Sequence, residues 1–279
     1  MTSDPMQRLL RLLAERFGEE LAAPEAAFDA GALAAMAGRG SQRSFLPRPI
    51  EARLLRMLCA VALSAPTKSD LQQRDIVIVE DPTVRERLDA IVGEDWLRAA
   101  PALLVFCGNN RRQRQLHVLR GHPFANDHLD AFFNAAVDAA IALAAFVSAA
   151  EAVGLGCCPL STLRNAVAET SELLGLPAHV FPVAGLAVGW PAAPPALRPR
   201  LALAATVHHG RFDDARWREH VEEYDERRRR LLPYARQRAS ERFGEHARYS
   251  WSEDKARQYA RSERADFGDF VRSQGFKLD

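Results

Sequence analysis

The longest apolar stretch of the chain runs from Phe132 to Gly156 and has the pattern of a helix. Apolar residues occupy every helical face, and up to Ala150 the only polar side chains are Asn134, Asp138 and Ser148. This pattern predicts a helix that is buried all round and ends at Gly154, a natural C-cap. At about 1.5 Å per residue, twenty-odd residues would span roughly 30 Å.

A membrane-spanning helix would have a similar length. Asp138 would then lie in the middle of the membrane, the alanines would contribute little transfer energy, and no second apolar segment follows. The pattern therefore favours a central helix of a soluble core, or one packed against its twin across a dimer interface. Small side chains let another backbone approach closely at such a contact.

The remaining hydrophobic pattern predicts an α+β fold, because helices outnumber the strands and separate them. Predicted helices cover residues 1–25, 24–37, a segment ending at 63, 83–92, 162–174, 216–230 and 252–274, and predicted strands cover 75–80, 102–107 and 180–190. The arginine run at 227–230 is typical of a solvated face paired with the glutamates before it. We expect a helical extension over residues 1–25 and one domain over 26–279, with a helical tail from about 213.

Composition excludes some functions and leaves others open. A net charge of +1 over 279 residues gives no general case for nucleic acid binding. No signal peptide is visible, and the four cysteines lack a CxxC spacing, so neither a zinc site nor a disulfide scaffold is indicated. We expect a cytoplasmic protein with no metal site.

Two alternating groups of basic residues are candidates for anion binding. Arg39, Ser41 and Arg43 alternate along one extended segment, so their side chains share one side. Arg198 and Arg200 alternate in the same way, far away in the sequence. Guanidinium forks with a hydroxyl suit a phosphate, although the pattern does not name a ligand.

Several stretches together resemble one protein family. They are RGSQRSFLPRPI, SAPTKSDLQ, AAPALLVFCGNNRR, VDAAIALAAFVSAAEAVGLG and WSEDKARQYARSERADFGDFVRSQGF, in this order from about residue 39 to the end. The chain resembles the nitroreductase-like FMN-dependent oxidoreductases. It is most similar to the group-A oxygen-insensitive NADPH nitroreductases and NADPH:FMN oxidoreductases.

The resemblance implies an α+β homodimer with a central mixed or antiparallel sheet flanked by helices. The long apolar helix would lie at the subunit interface, and FMN would bind between subunits. The implied contacts to FMN are Arg39, Ser41, Arg43, Thr67, Lys68, Ser69, Glu94, Pro159, Leu160, Ser161, Arg198 and Arg200. Arg242 and Arg248 would contact NADPH, while Ser69, Asp70 and Arg264 would line the substrate pocket.

The implied activity is a ping-pong, two-electron transfer from NADPH to nitroaromatic, quinone or flavin acceptors, with no obligatory catalytic side chain. Two alternatives stay open: a flavin reductase or dehalogenase of the same fold, and an FMN-binding sensor without turnover.

The chain also departs from the family pattern. Arg39 and Gly40 stand where the family has His and Arg, and Glu94 stands where it has glutamine. Further departures are Asp70, Cys157, Cys158, Ser161 and Thr162.

Overall fold

A computed structural model describes residues 4–279 of the chain. These residues form two compact units. The first unit contains the chain up to Gly40 together with Ala196–Glu263, and the second contains Ser41–Pro195 together with Arg264–Asp279.

The strands lie in the middle of the chain, with helices between them, before them and after them. In order, the α-helices are α1 Pro5–Phe17, α2 Gly31–Gly38, α3 Ala52–Leu63, α4 Pro82–Val92, α5 Arg111–Arg120, α6 Leu129–Ala152, α7 Val167–Leu173, α8 Trp217–Leu231, α9 Ser240–Phe243, α10 Trp251–Tyr259 and α11 Phe267–Ser273. The strands are β1 Arg74–Ile78, β2 Ala102–Asn109, β3 Gly156–Leu160 and β4 Val180–Gly189.

The second unit is built on a four-stranded sheet with the order β1-β2-β4-β3, in which each neighbouring pair is antiparallel. Alternate residues of β2 enter two different hydrophobic clusters: Leu104 and Phe106 pack with α3 and α6, whereas Leu103 and Val105 pack with α4. Since successive strand side chains point to opposite faces, the sheet is covered on both sides. The prediction of an α+β fold with an antiparallel sheet is confirmed.

The long helix α6 begins three residues before the predicted start and has one buried face, which includes Ala135 and Phe146. Its opposite face is exposed in the single chain, with Phe133 at 59% and Val137 at 37% exposure. The prediction that it is buried all round is therefore wrong for one chain alone. Among residues 4–279, α6 is also the one helix whose length and composition would allow a membrane span. Its buried face packs in the protein core, where Phe146 meets Phe106 of β2 at 5.8 Å.

Several predicted helices are shorter than expected. The helix predicted over 1–25 ends at Phe17, because Gly18 takes φ +74°. The helix predicted over 24–37 begins only at Gly31, whose N–H donates to Asp29 Oδ1 at 2.8 Å in a local turn. The helix predicted over 252–274 is two helices, α10 and α11. Arg264 lies between them with φ +56°, a left-handed backbone conformation that cannot continue an α-helix.

In the first unit, helices that are close in sequence pack against each other in pairs. Leu9 of α1 packs with Ala34 of α2 in a small buried cluster. Tyr224 of α8 meets Trp251 of α10 edge to face at 5.2 Å. Asp225 accepts hydrogen bonds from Ser252, so the start of α10 is fixed to α8.

Candidate functional site

In the second unit, the loop between α3 and β1 is held by one buried carboxylate. Asp138, on α6, is fully buried and accepts hydrogen bonds from Thr67 Oγ1 at 2.6 Å, Lys68 N at 2.9 Å and Gln73 N at 3.0 Å. A buried carboxylate is costly unless its oxygens are paired. These three donors satisfy it, and they fix both ends of the loop.

Arg74 completes this anchor. Its Nη2 donates to Leu63 O at 2.7 Å and Ala65 O at 3.0 Å, and its Nη1 lies 4.0 Å from Asp138 Oδ2. These bonds join the end of α3 to the start of β1. The loop geometry is therefore set by a charged pair inside the core.

The anchored loop carries three non-glycine residues in the left-handed region. They are Ser69 at φ +47°, Asp70 at φ +56° and Gln72 at φ +52°. Such conformations cost free energy and persist where the surroundings hold them. Lys68, Ser69 and Asp70 are exposed, so the structure groups these three predicted site residues on one rigid turn.

In the segment with Ser41 and Arg43, the residue between them is the buried one. Gln42 points inward and is 3% exposed, while its N–H donates to Cys157 O at 2.9 Å. Arg43 is exposed, and its guanidinium carbon lies 5.8 Å from the ring centre of Trp96. The Trp96 indole N–H donates to Glu94 Oε2 at 3.0 Å. Trp96 thus brings Arg43 and Glu94, two predicted site residues, into one neighbourhood.

Pro159 and Leu160 belong to β3, which the sequence did not predict as a strand. Pro159 is exposed, whereas Leu160 is 6% exposed and packs in the core. Arg264 Nη1 donates to Ser161 O at 3.3 Å and to Asn165 Oδ1 at 3.2 Å. The structure therefore places Arg264, a predicted pocket residue, directly against Ser161.

The first unit contains a basic cavity of about 520 Å³. Its charged lining has one carboxylate, Asp254, and six cationic side chains: Arg198, Arg200, Arg228, Arg236, Arg238 and Lys255. Burial raises the pKa of Asp254, but hydrogen bonds from Lys255 and Tyr249 outweigh this and hold the pKa below its usual value. Asp254 therefore stays ionised, and the lining keeps a large positive excess.

Arg228 is the unexpected member of this cavity. It is only 6% exposed and stacks on Tyr234 at 4.7 Å, and its Nη1 has no hydrogen-bond partner within residues 4–279. The prediction that the run 227–230 forms a solvated face is wrong at this position. An uncompensated buried cation favours an anionic ligand. The donor set of the cavity therefore fits a phosphate-bearing molecule.

Other predicted contacts in this unit occupy different places. Arg39 is half-buried, and its backbone carbonyl accepts from Arg16. Arg242 and Arg248 do not line the basic cavity. Arg242 Nη1 donates to Ala260 O at 3.4 Å, and Arg248 pairs with Glu226 at 3.1 Å.

Among the described residues, no cluster of metal ligands was found, and the buried thiol of Cys107 is not activated. No group of three or more His, Cys, Asp or Glu side chains could hold a metal ion in residues 4–279. Burial, with Asp75 nearby, raises the pKa of Cys107 to about 12. This thiol is therefore not a nucleophile near neutral pH.

Comparison with known proteins identifies the family. The Nitroreductase family matches residues 36–190, and the Nitroreductase family, C-terminal domain, matches residues 198–279. The chain belongs to the nitroreductase family. It is 32% identical over 245 residues to an FMN reductase [NAD(P)H] of Bacillus subtilis, covering 86% of this chain and 95% of the relative.

Two further comparisons agree with this assignment. An oxygen-insensitive NADPH nitroreductase of Salmonella typhimurium is 32% identical over 197 residues, covering 68% of this chain and 80% of the relative. The structure of NfrA2 from B. megaterium superposes with a TM-score of 0.80 at 29% identity, covering 89% of this chain and 98% of that chain. The suspected family and its fold are therefore confirmed.

Proposed function

We propose that this chain is an FMN-dependent oxidoreductase that uses NADPH to reduce small-molecule acceptors. The observation that carries the proposal is the match of both parts of the chain, residues 36–190 and 198–279, to the nitroreductase family. Relatives named FMN reductase and NADPH nitroreductase support the cofactor and the donor. When bound, FMN supplies hydride-transfer chemistry that amino-acid side chains lack.

In the second unit, the anchored loop holds the flavin-facing residues. Thr67, Lys68 and Ser69 line the flavin, and Lys68 adds a positive charge that stabilises an electron-rich ring. Ser41 and Arg43 contact the phosphate and ribityl chain. Because Asp138 and Arg74 fix the loop before any ligand arrives, little ordering entropy is lost on binding.

A carboxylate beside an electron-rich ring would be repelled by it, so the place of Glu94 in the site depends on the groups that it contacts. The Trp96 indole N–H donates to Glu94 Oε2, and the Arg43 guanidinium lies over the same indole. We assign Glu94 to the edge of the flavin site, where its charge is turned toward these two groups. Pro159, Leu160 and Ser161 form the opposite side, with Leu160 supporting it from the core.

In the first unit, Arg198 and Arg200 are assigned to the phosphate of FMN, together with Arg39. Arg242 and Arg248 are assigned to the phosphate of NADPH. Each presents a planar guanidinium, which suits a phosphate better than an ammonium does. Arg198 and Arg200 line the basic cavity, and its excess of positive charge supports the assignment of these two residues.

The substrate site takes Ser69, Asp70 and Arg264. Arg264 donates hydrogen bonds to Ser161 O and Asn165 Oδ1, and these two bonds fix the position of its guanidinium. Such a pocket accepts a flat, electron-poor molecule such as a quinone, a nitroaromatic compound or a free flavin.

The functional form is a cytoplasmic homodimer. Its support is the exposed apolar face of α6, with Phe133 and Val137, which a second copy would bury. Burying such a face removes apolar area from water at about 25 cal/mol per Å².

The test is to purify the chain, extract its flavin and measure NADPH oxidation with a quinone. The proposal expects about one FMN per chain and turnover that requires the quinone. A bound flavin without turnover would favour a storage or sensing role, and a colourless protein that gains no activity from added FMN would contradict the proposal.

A further inference from the structure

The N-terminal helix α1 precedes residue 36, where the family match begins. Near its end, Arg16 is only 6% exposed. Its Nε donates to Ala37 O, its Nη2 to Arg39 O, and its Nη1 to Arg198 O at 3.2 Å. One guanidinium therefore bonds to the backbone of two segments that lie far apart in the sequence.

The backbone of Arg16 adds two more links. Arg200 N donates to Arg16 O at 2.6 Å, and Arg227 Nη2 donates to the same oxygen at 3.2 Å. Arg227 also donates to Arg200 O. Residue 200 is therefore held at both its N–H and its C=O, although it lies outside any helix or strand.

The end of α1 is shaped for this contact. Gly18 ends the helix at φ +74°, and a Cβ on it would overlap the Arg227 guanidinium. A larger residue would clash with the guanidinium that binds Arg16 O. Upstream, Leu12 lies under Gly38, so the same helix also supports the segment before Arg39.

We propose that Arg16 is a positioning residue for the phosphate-binding arginines Arg39, Arg198 and Arg200. This inference rests on the proposed function, because it assumes that these three arginines meet the phosphate of FMN. Arg16 does not contact the ligand; it fixes the backbone from which the three side chains extend. Fixing the backbone in advance lowers the ordering entropy that binding must overcome. Lysine cannot replace it, because a single ammonium cannot reach three separate carbonyl oxygens in a plane.

The experiment compares two ligands on the whole chain after removal of its flavin. FMN and riboflavin share the ring and ribityl chain, but only FMN has the phosphate. Their dissociation constants are measured by flavin fluorescence for the parent chain, Arg16→Gln and Arg16→Lys. Arg11→Gln is the matched control, since Arg11 is exposed on the same helix. The melting temperature of each ligand-free variant is measured in parallel.

Arg16→Gln and Arg16→Lys should both weaken FMN binding by about tenfold or more, which corresponds to about 1.4 kcal/mol per decade. Riboflavin binding should stay within about twofold, and Arg11→Gln should match the parent chain. An equal loss for both ligands would overturn the inference, because it would show general damage to the fold. Unchanged FMN binding in both Arg16 variants would also overturn it. A parent chain that binds no FMN would instead contradict the proposed function.

Discussion

Thr67 Oγ1 lies 2.6 Å from Asp138 Oδ2, so a surface loop is tied to the middle of the central helix. The same hydroxyl accepts from Gln72 N at 2.9 Å, which closes the loop on itself. Asp138 is the residue that argues against a membrane span in the sequence. In the structure its charge is used to hold a turn with three left-handed residues.

Removing the hydroxyl of Thr67 should loosen this loop. We expect Thr67→Val to lower the free energy of unfolding by about 1–3 kcal/mol, because a buried carboxylate oxygen loses one of its two donors. Thr67→Ser keeps the hydroxyl and should lose less than half as much. Urea denaturation of the two variants and the parent chain makes the comparison. A larger loss in Thr67→Ser than in Thr67→Val would show that packing of the methyl group, and not the hydrogen bond, holds the loop.

Asp138→Asn should also lower the free energy of unfolding, and its effect should not add to that of Thr67→Val, because both variants break the same hydrogen bond. Residues in one hydrogen-bond network show coupling energies of about 0.5–3 kcal/mol, whereas independent sites add. We therefore expect the double variant to be less damaged than the sum of the single variants. Strict additivity in urea denaturation would mean that the two residues do not act as one anchor.

Replacing Arg228 should weaken ligand binding without lowering the stability of the ligand-free chain. Its Nη1 lacks a partner in the part of the chain that the structure describes, so Arg228→Met removes a poorly compensated buried charge. We expect the free energy of unfolding without ligand to stay constant or rise. The stabilisation that NADPH or FMN adds to the melting temperature should fall. Arg230→Gln, at an exposed position of α8, is the control and should change neither quantity. A large loss of stability in Arg228→Met would show that its stacking on Tyr234 is the dominant contribution.

The exposed face of α6 provides a test of the dimer. Ala144 is exposed in the single chain, so a large side chain there overpacks only if another chain covers it. We expect Ala144→Trp to weaken the dimer by about 1–3 kcal/mol and to release flavin at the same time. Sedimentation and the flavin absorbance of the same sample make the measurement. A flavin-loaded dimer of unchanged stability would place the interface elsewhere.

Asp127 predicts an acid-sensitive contribution to stability. Hydrogen bonds from Arg114 and Lys277 lower its pKa from 3.8 to about 2 despite partial burial. A lowered pKa in the folded state gives stability that is present above about pH 4 and lost as the pH falls toward 2. The difference in unfolding free energy between the parent chain and Asp127→Asn should therefore shrink between pH 4 and 2. A difference that stays constant over this range would contradict the assignment.

The sequence predicts those parts of the fold whose hydrophobic pattern is strong. Helix α6 and strands β2 and β4 lie close to their predicted bounds, because they are long and apolar. β3 was missed because Gly156–Leu160 contains a proline and does not alternate. The strand tolerates Pro159 because it lies at the edge of the sheet, where a missing N–H leaves no partner unpaired. The polar helix α5 was missed since it lacks an apolar stripe.

The candidate site was less predictable than the fold, because its supports are distant in sequence. Asp138 is 65 to 71 residues away in sequence from the loop residues that it binds. A local sequence pattern cannot predict a contact between such distant residues. Arg228 resembles its neighbours in a charged run, and only the packing on Tyr234 distinguishes it. Arg16 lies in a stretch whose amphipathic pattern predicts a helix but not its contacts.

The most direct test of the proposed function is to mix the purified chain with NADPH in the absence of oxygen and follow the flavin absorbance. The proposal expects the yellow colour to bleach within the time of one turnover and to return when a quinone is added. A flavin that stays oxidised with both NADPH and NADH would contradict it.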